Sequence, residues 1–205
     1  MAKQAAIIVP EGCRRVLLHA CCAPCSSAIV EWLLAHEIQP VIYYYNPNIY
    51  PREEYEIRKN ESKRHAESLG IEWIEGIPGA GYEQAHASWR EAVCGLENEP
   101  ERGKRCEACF YHRLNATARK AQELGINLIA TTLASSRWKN LEQINAAGEA
   151  AANDANDAND ANDVRFWAQN WRKDGLQERR NELLNEYQFY NQTYCGCEYS
   201  VRNKT

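Results

Sequence analysis

Arg15 to Leu34 reads RVLLHACCAPCSSAIVEWLL, and its two halves decide the fold. Arg15 to Ala20 is a short, nearly continuous apolar run, the pattern of a strand buried on both faces. Pro24, with Ser26 and Ser27, then opens a helix carried by Ile29, Val30, Leu33 and Leu34. The same alternation repeats downstream. Pro40 to Tyr45 (PVIYYY) has the β-branched and aromatic content of a second strand. Asn46 to Pro51 is a loop with two prolines, and charged helix formers run from Arg52 to Leu69 until Gly70 caps them. Ile71 to Ile74 reads as a third strand, Tyr82 to Val93 as a helix, and a long helix runs from near Cys106 to Gly125. Asn127 to Leu133, Leu141 to Ala152, Val164 to Ala168 and Leu176 to Tyr190 continue as strand, helix, strand and helix. Strands alternating with helices of this length predict one α/β layered domain over residues 1–205 with a mainly parallel sheet. Sites in such sheets form where loops leave the carboxyl ends of strands. Cys21 and Cys22 stand there, directly after the first strand.

Asn153 to Asp163 breaks the pattern with a low-complexity Asn-Asp-Ala repeat. Its aspartates lack the spacing of an EF-hand loop, so a surface connection after a helix is expected.

The chain has 205 residues and nine cysteines. No stretch approaches the roughly 20 apolar residues of a membrane span, and Ala5 to Pro10 is too short for the core of a signal peptide. A cytoplasmic protein is therefore expected, with no membrane partner. In that compartment a cysteine-rich pattern points to metal binding or redox chemistry before structural disulfides. The net charge of −4 gives no global attraction to nucleic acid. Local basic clusters remain at Arg58, Lys59, Lys63 and Arg64, at Arg137 and Lys139, and at Arg172, Lys173, Arg179 and Arg180. Composition alone reads each as a solvated face.

Two cysteine groups have the spacing of soft-metal ligands: Cys21-Cys22-Ala23-Pro24-Cys25 and Cys106-Glu107-Ala108-Cys109. Several thiolates converging on one small volume suit a tetrahedral zinc, an iron–sulfur cluster or a reactive dithiol, and spacing leaves all three open. The adjacent pair Cys21-Cys22 departs from a plain zinc ribbon, whose ligands are separated. Cys195-Gly196-Cys197 is a different motif. A disulfide across one glycine closes a tight ring and suits a reversible two-electron relay; a second metal-binding pair is the alternative. Cys13 and Cys94 sit in no motif.

LLHACCAPCSS (Leu17 to Ser27), YNPNIYPREEYEIRK (Tyr45 to Lys59), GLENEPERGKRCEACFYHRL (Gly95 to Leu114), TTLASSRWKN (Thr131 to Asn140) and YCGCEYS (Tyr194 to Ser200) together resemble the QueH-type epoxyqueuosine reductases. The resemblance covers nearly the whole chain in order. It implies an adenine-nucleotide α-hydrolase-like, Rossmann-like fold. It also implies reduction of epoxyqueuosine to queuosine at the wobble position (34) of tRNA, the last step of queuosine modification. The family's 4Fe–4S ligands map onto Cys21, Cys22, Cys106 and Cys109, and its redox-active pair onto Cys195 and Cys197. Cys25 stands beside the cluster in that pattern, where an additional iron or other divalent metal would bind. The partners implied are tRNA carrying epoxyqueuosine and an electron donor not identified by the sequence. The Asn-Asp-Ala repeat is foreign to the family pattern.

Protons for such a reduction would come from nearby donors. His19, Tyr45 and Tyr50 have the chemistry and the position in sequence, although each also reads as a packed strand or loop residue. Trp138, between Arg137 and Lys139, has the composition of a surface that stacks nucleobases. An ATP-dependent tRNA-thiolation enzyme would need a glycine-rich phosphate loop after the first strand. His19 to Pro24 contains no glycine.

Overall fold

The computed structural model describes residues 7–158 and 163–200. Ala5 and Ala6 of the short apolar stretch, and residues 159–162 of the repeat, lie outside the described residues.

Five strands form one sheet: β1 (Arg15–His19), β2 (Gln39–Tyr44), β3 (Trp73–Glu75), β4 (Leu128–Thr131) and β5 (Arg165–Phe166). Their order is β3-β2-β1-β4-β5 and every pairing is parallel. Parallel neighbours need crossovers, and six helices supply them or flank them: α1 (Ala23–Ala35), α2 (Arg52–Ser68), α3 (Tyr82–Ala92), α4 (Lys104–Glu123), α5 (Leu141–Ala158) and α6 (Leu176–Glu186). The result is a Rossmann-like α/β layer structure.

Strand pleating explains the two cores. Val16, Leu18, Ile42, Leu128 and Ala130 pack on one face with Ile29, Val30 and Leu33 of α1. Leu17, Val41, Tyr43 and Ile129 point to the other face and meet Ala118 and Ala121 of α4 and Ala152 and Ala155 of α5. β1 is central, with β2 on one side and β4 on the other. The chain builds outward through β2 and β3, then returns to place β4 against β1. The carboxyl end of β1 is thus the topological switch point, where this architecture opens a crevice.

Boundaries shift by a few residues, each for a local reason. α4 begins at Lys104 because Gly103 supplies its N-cap, which puts Cys106 in the first turn. The fourth strand stops at Thr131, whose hydroxyl accepts from Leu133 N–H and opens a 3₁₀ turn over Thr132–Ser135. β5 keeps two residues and α6 ends at Glu186, with Gln188 in the left-handed region at φ 51°.

The largest difference is in the repeat. α5 does not end at Ala152 but carries Asn153 to Ala158 as helix. A period of three is close to the helical period, so Ala152 and Ala155 keep facing the sheet. Asn156 then ties the far end down, its side chain accepting from Val164 N–H at 2.8 Å and donating to Val164 C=O at 2.9 Å.

Gly148 lets α5 approach β5. A Cβ there would lie 2.5 Å from three ring carbons of Phe166. Helix propensity favours Ala over Gly by about 1 kcal/mol, but the clash outweighs it. Gly148→Ala is expected to destabilise the fold by about 1–3 kcal/mol in urea unfolding.

His65 of α2 is 1 % exposed and packs edge-on against Tyr187 and Phe189. Burial pushes its pKa down to about 4, with Glu31 and Glu61 opposing and Arg64 assisting. The unfolded chain therefore takes up the proton first. The stability involved is whole above about pH 6.5 and is lost as the pH falls towards 4. Between pH 7 and pH 5 the protein should lose about 2 kcal/mol through this group. Urea unfolding of His65→Leu should show that much less pH dependence.

Candidate active site

A cavity of about 920 Å³ opens beyond the carboxyl end of β1. Cys21, Cys25, Cys106, Cys109, Cys195 and Cys197 line it. They arrive from three places: the β1–α1 turn with the start of α1, the first two turns of α4, and the segment after α6.

The first group is set by the start of α1. Cys22 is its N-cap, with extended backbone, and Pro24 follows in the first turn. That geometry folds Cys21, Cys22 and Cys25 together, all three sulfur atoms lying within 4.8 Å of one another. Cys21 Sγ and Cys22 Sγ are 3.7 Å apart. Gln192 donates to Cys22 Sγ at 2.9 Å, and Thr132 Oγ1 lies 3.4 Å from Cys21 Sγ. The Cys21 thiol is held well below its ordinary pKa, chiefly by the S–H donors of Cys22 and Cys25. Cys22 moves well above, mainly through burial, and Cys25 is pushed up to about 12, mainly by its bond to Cys21. Cys21 is thus the most acidic thiol of the three.

Cys106 and Cys109 lie on the inner face of α4. Arg113 is one turn beyond Cys109 on the same face and is 2 % exposed. Its guanidinium donates to Asn46 Oδ1, and Asn46 in turn donates to Ala20 C=O at 2.9 Å. No carboxylate among the described residues pairs with Arg113. Burial raises the pKa of both Cys106 and Cys109.

The Cys195-Gly196-Cys197 segment is docked on the loop after β2. Tyr50 N–H donates to Gly196 C=O at 2.8 Å, and Ile49 bridges Cys197 in antiparallel fashion. Arg58 of α2, in a buried ion pair with Glu54 at 2.6 Å, donates to the carbonyls of Tyr194 and Cys195 at 3.2 and 3.3 Å. Gly196 sits at φ 100°, and a Cβ there would lie 2.9 Å from Ile49. Both the backbone angle and the close approach require glycine.

Lys139 completes the site, its ammonium donating to Cys195 Sγ at 3.2 Å. Burial raises the Cys195 pKa, but Lys139 and Arg113 outweigh it, and the net shift is downward. Cys197 has no such partner, and burial pushes it up to about 12. The two cysteines of one short motif are therefore chemically unlike: Cys195 is the more acidic thiol and Cys197 the less.

The expected proton donors are not in the cavity lining. His19 is fully buried, with Nδ1 2.8 Å from Thr131 Oγ1 and Nε2 3.2 Å from Tyr45 C=O. Burial lowers its pKa to about 3, so it is neutral and structural. Tyr45 stacks on Tyr43, and Tyr50 stacks on His86. The side chains that do face the sulfurs, Lys139, Arg113 and Gln192, were not singled out for that role in the sequence. Arg113 had a signal: it follows Cys106 and Cys109 at helical spacing of seven and four. Gln192 had none.

The family model described as "Epoxyqueuosine reductase QueH" matches residues 16–203. A Haemophilus influenzae protein named "Epoxyqueuosine reductase QueH" is 43 % identical over 195 residues, covering 95 % of this chain and 75 % of its own. Its namesake from Acinetobacter baylyi is 43 % identical over 195 residues, covering 95 % and 84 %. A third, from Thermotoga maritima, is 32 % identical over 188 residues, covering 91 % and 90 %. The chain belongs to the QueH family. It is thus an oxidoreductase of queuosine tRNA modification, and a cysteine cluster able to hold a metal lies at the head of its central strand. No helix among the described residues is long and apolar enough to cross a membrane.

Lys139→Met tests the electrostatics of the site. Without the ammonium the Cys195 thiol should rise, and its alkylation by iodoacetamide near neutral pH should slow by roughly an order of magnitude. Peptide mapping reads the site directly, and the exposed Cys94 should react at an unchanged rate.

Proposed function

We propose that the protein removes the epoxide oxygen of epoxyqueuosine at the wobble position of tRNA, using a 4Fe–4S cluster held by Cys21, Cys22, Cys106 and Cys109 and a redox pair formed by Cys195 and Cys197. The carrying observation is the convergence of six cysteines from three chain segments on one cavity in a chain of this family. The donor set fits a thiolate-ligated, anionic group. Sulfur dominates the lining, and the buried guanidinium of Arg113 has no carboxylate partner among the described residues. When bound, the cluster supplies single-electron transfer and Lewis acidity towards the epoxide oxygen. Cys25, within 4.8 Å of Cys21 and Cys22, is placed to hold an additional iron or other divalent metal beside it.

The chain's own residues account for the balance of the reaction. Epoxide to alkene consumes two electrons and two protons and yields water. A dithiol closing to a disulfide releases two electrons and two protons. Two S–H bonds break and one S–S bond forms; both C–O bonds of the epoxide break, and the oxygen leaves as water. Cys195, whose thiol Lys139 holds below its ordinary pKa, is the sulfur prepared to attack, and Cys197 is its partner. Arg58 and Gly196 hold the pair over the site. An external electron donor must then restore the dithiol.

Anaerobically reconstituted protein with a strong reductant should convert epoxyqueuosine-containing tRNA to the queuosine form, read by nucleoside mass spectrometry. Cys106→Ala should lose bound iron and visible absorbance together with activity. Cys197→Ala should retain the iron and lose turnover. Full activity in both variants would overturn the assignment, and a colourless protein with one zinc would favour a structural metal instead.

A further inference from the structure

The cavity rim differs in charge from the rest of the molecule. The protein carries a net charge of −4, yet the lining has seven lysines and arginines and one carboxylate, Glu101. Four of the cations are committed inside: Arg58, Arg113 and Lys139 to the thiols and their loops, and Arg105 to the carbonyls of Glu97 and Glu99. Arg102, Arg137 and Arg180 remain at the edge. The guanidinium of Arg137 has no hydrogen-bond or ion-pair partner among the described residues.

Trp138 stands beside Arg137 in the same lining and is 79 % exposed, the most exposed large apolar side chain among the described residues. Its backbone is nevertheless fastened. Arg102 donates to the carbonyls of Arg137 and Trp138 at 3.1 and 2.8 Å, and Arg172 donates to Lys139 C=O at 2.9 Å. Gln143 holds Arg102 in turn, donating to its carbonyl at 2.7 Å. Three successive carbonyls are thus gripped from one side. An indole left in water at the end of a loose loop needs no explanation. One presented by a fastened segment, at the mouth of a cationic cavity, has the makings of a platform.

We infer that Trp138 is a stacking platform for a nucleobase adjacent to the modified one, with Arg137 and Arg180 taking the flanking phosphates. The inference rests on the tRNA reading above and adds the residues that grip the RNA. A cavity of about 920 Å³ falls in the range of small-molecule sites, so it admits the modified nucleoside while its neighbours stay at the rim. An unpaired neighbour exposes a π-face, which an exposed indole stacks on without regard to sequence. The anticodon loop offers such bases already unstacked from a duplex. A phosphate backbone also matches the sign of the rim.

The test uses an anticodon stem-loop RNA, fluorescently labelled, and full-length protein carrying Trp138→Ala, Trp138→Phe or Arg137→Ala. Trp138→Ala should weaken binding about tenfold or more, and Trp138→Phe should fall between it and the wild type. Trp138→Phe should also lose a distinct part of the RNA-induced quenching of protein fluorescence. Arg137→Ala should lower the slope of log affinity against log salt by about one. Wild-type affinity in Trp138→Ala would overturn the platform and leave the tRNA reading standing. No binding of the stem-loop by the wild type would overturn both.

Discussion

Crowding thiols into one cavity is the constraint on which the rest of the site depends. Two full thiolates at the separation of Cys21 and Cys22, 3.7 Å, would repel by about 4 kcal/mol even at an effective dielectric near 20. The protein meets this in two ways. The acidities are spread, so that within the β1–α1 turn Cys21 is the most acidic thiol and Cys22 and Cys25 hold their protons more tightly. Cations are then buried around the sulfurs without carboxylates of their own: Arg113 behind the α4 pair and Lys139 against Cys195. A buried guanidinium with no carboxylate partner would ordinarily be a liability. Here the partner is the sulfur cluster, and the same charge that makes Arg113 costly alone makes a thiolate-ligated group welcome.

The connection between α2 and the Cys195–Cys197 segment runs through Arg58. Its ion pair with Glu54 is intrahelical, four residues apart and almost fully buried, so the guanidinium is fixed before it meets anything else. The remaining donors reach the carbonyls just ahead of Gly196. That glycine passes close to Ile49, which belongs to the loop leaving β2. A helix, a strand-end loop and a late segment of the chain therefore meet at one planar cation. Lysine could not replace it, having neither the fork nor the reach to serve a carboxylate and two carbonyls together.

Much of this was legible in the sequence. The strand–helix alternation, the place of Cys21 and Cys22 after the first strand, and the Cys-Gly-Cys motif all depend on local pattern, and the structure puts the three cysteine groups around one cavity. What pattern could not give is long-range. His19 looked like a donor because it stands two residues from Cys21, but Thr131 and the Tyr45 carbonyl had already claimed its ring. Lys139 looked like one charge in a basic loop. Its meaning comes from Cys195, a contact across 56 residues. The repeat misled for the opposite reason. Its composition reads as a surface connection, while its period of three keeps alanines on the buried side of a helix.

The turn after β1 also shows how one architecture changes its chemistry. In Rossmann-like sheets the carboxyl end of the central strand meets a helix N-terminus, whose free N–H groups and dipole favour an anion. Glycines there let a phosphate approach the backbone. This chain keeps the helix start and replaces the approach. Cys22 takes the N-cap, Pro24 removes an N–H from the first turn, and no glycine lies between His19 and Cys25. The acidic group at this end of the strand is now part of the protein, the Cys21 thiol rather than a bound phosphate. The switch point has been kept as a crevice, lined by cysteine side chains instead of by backbone amides.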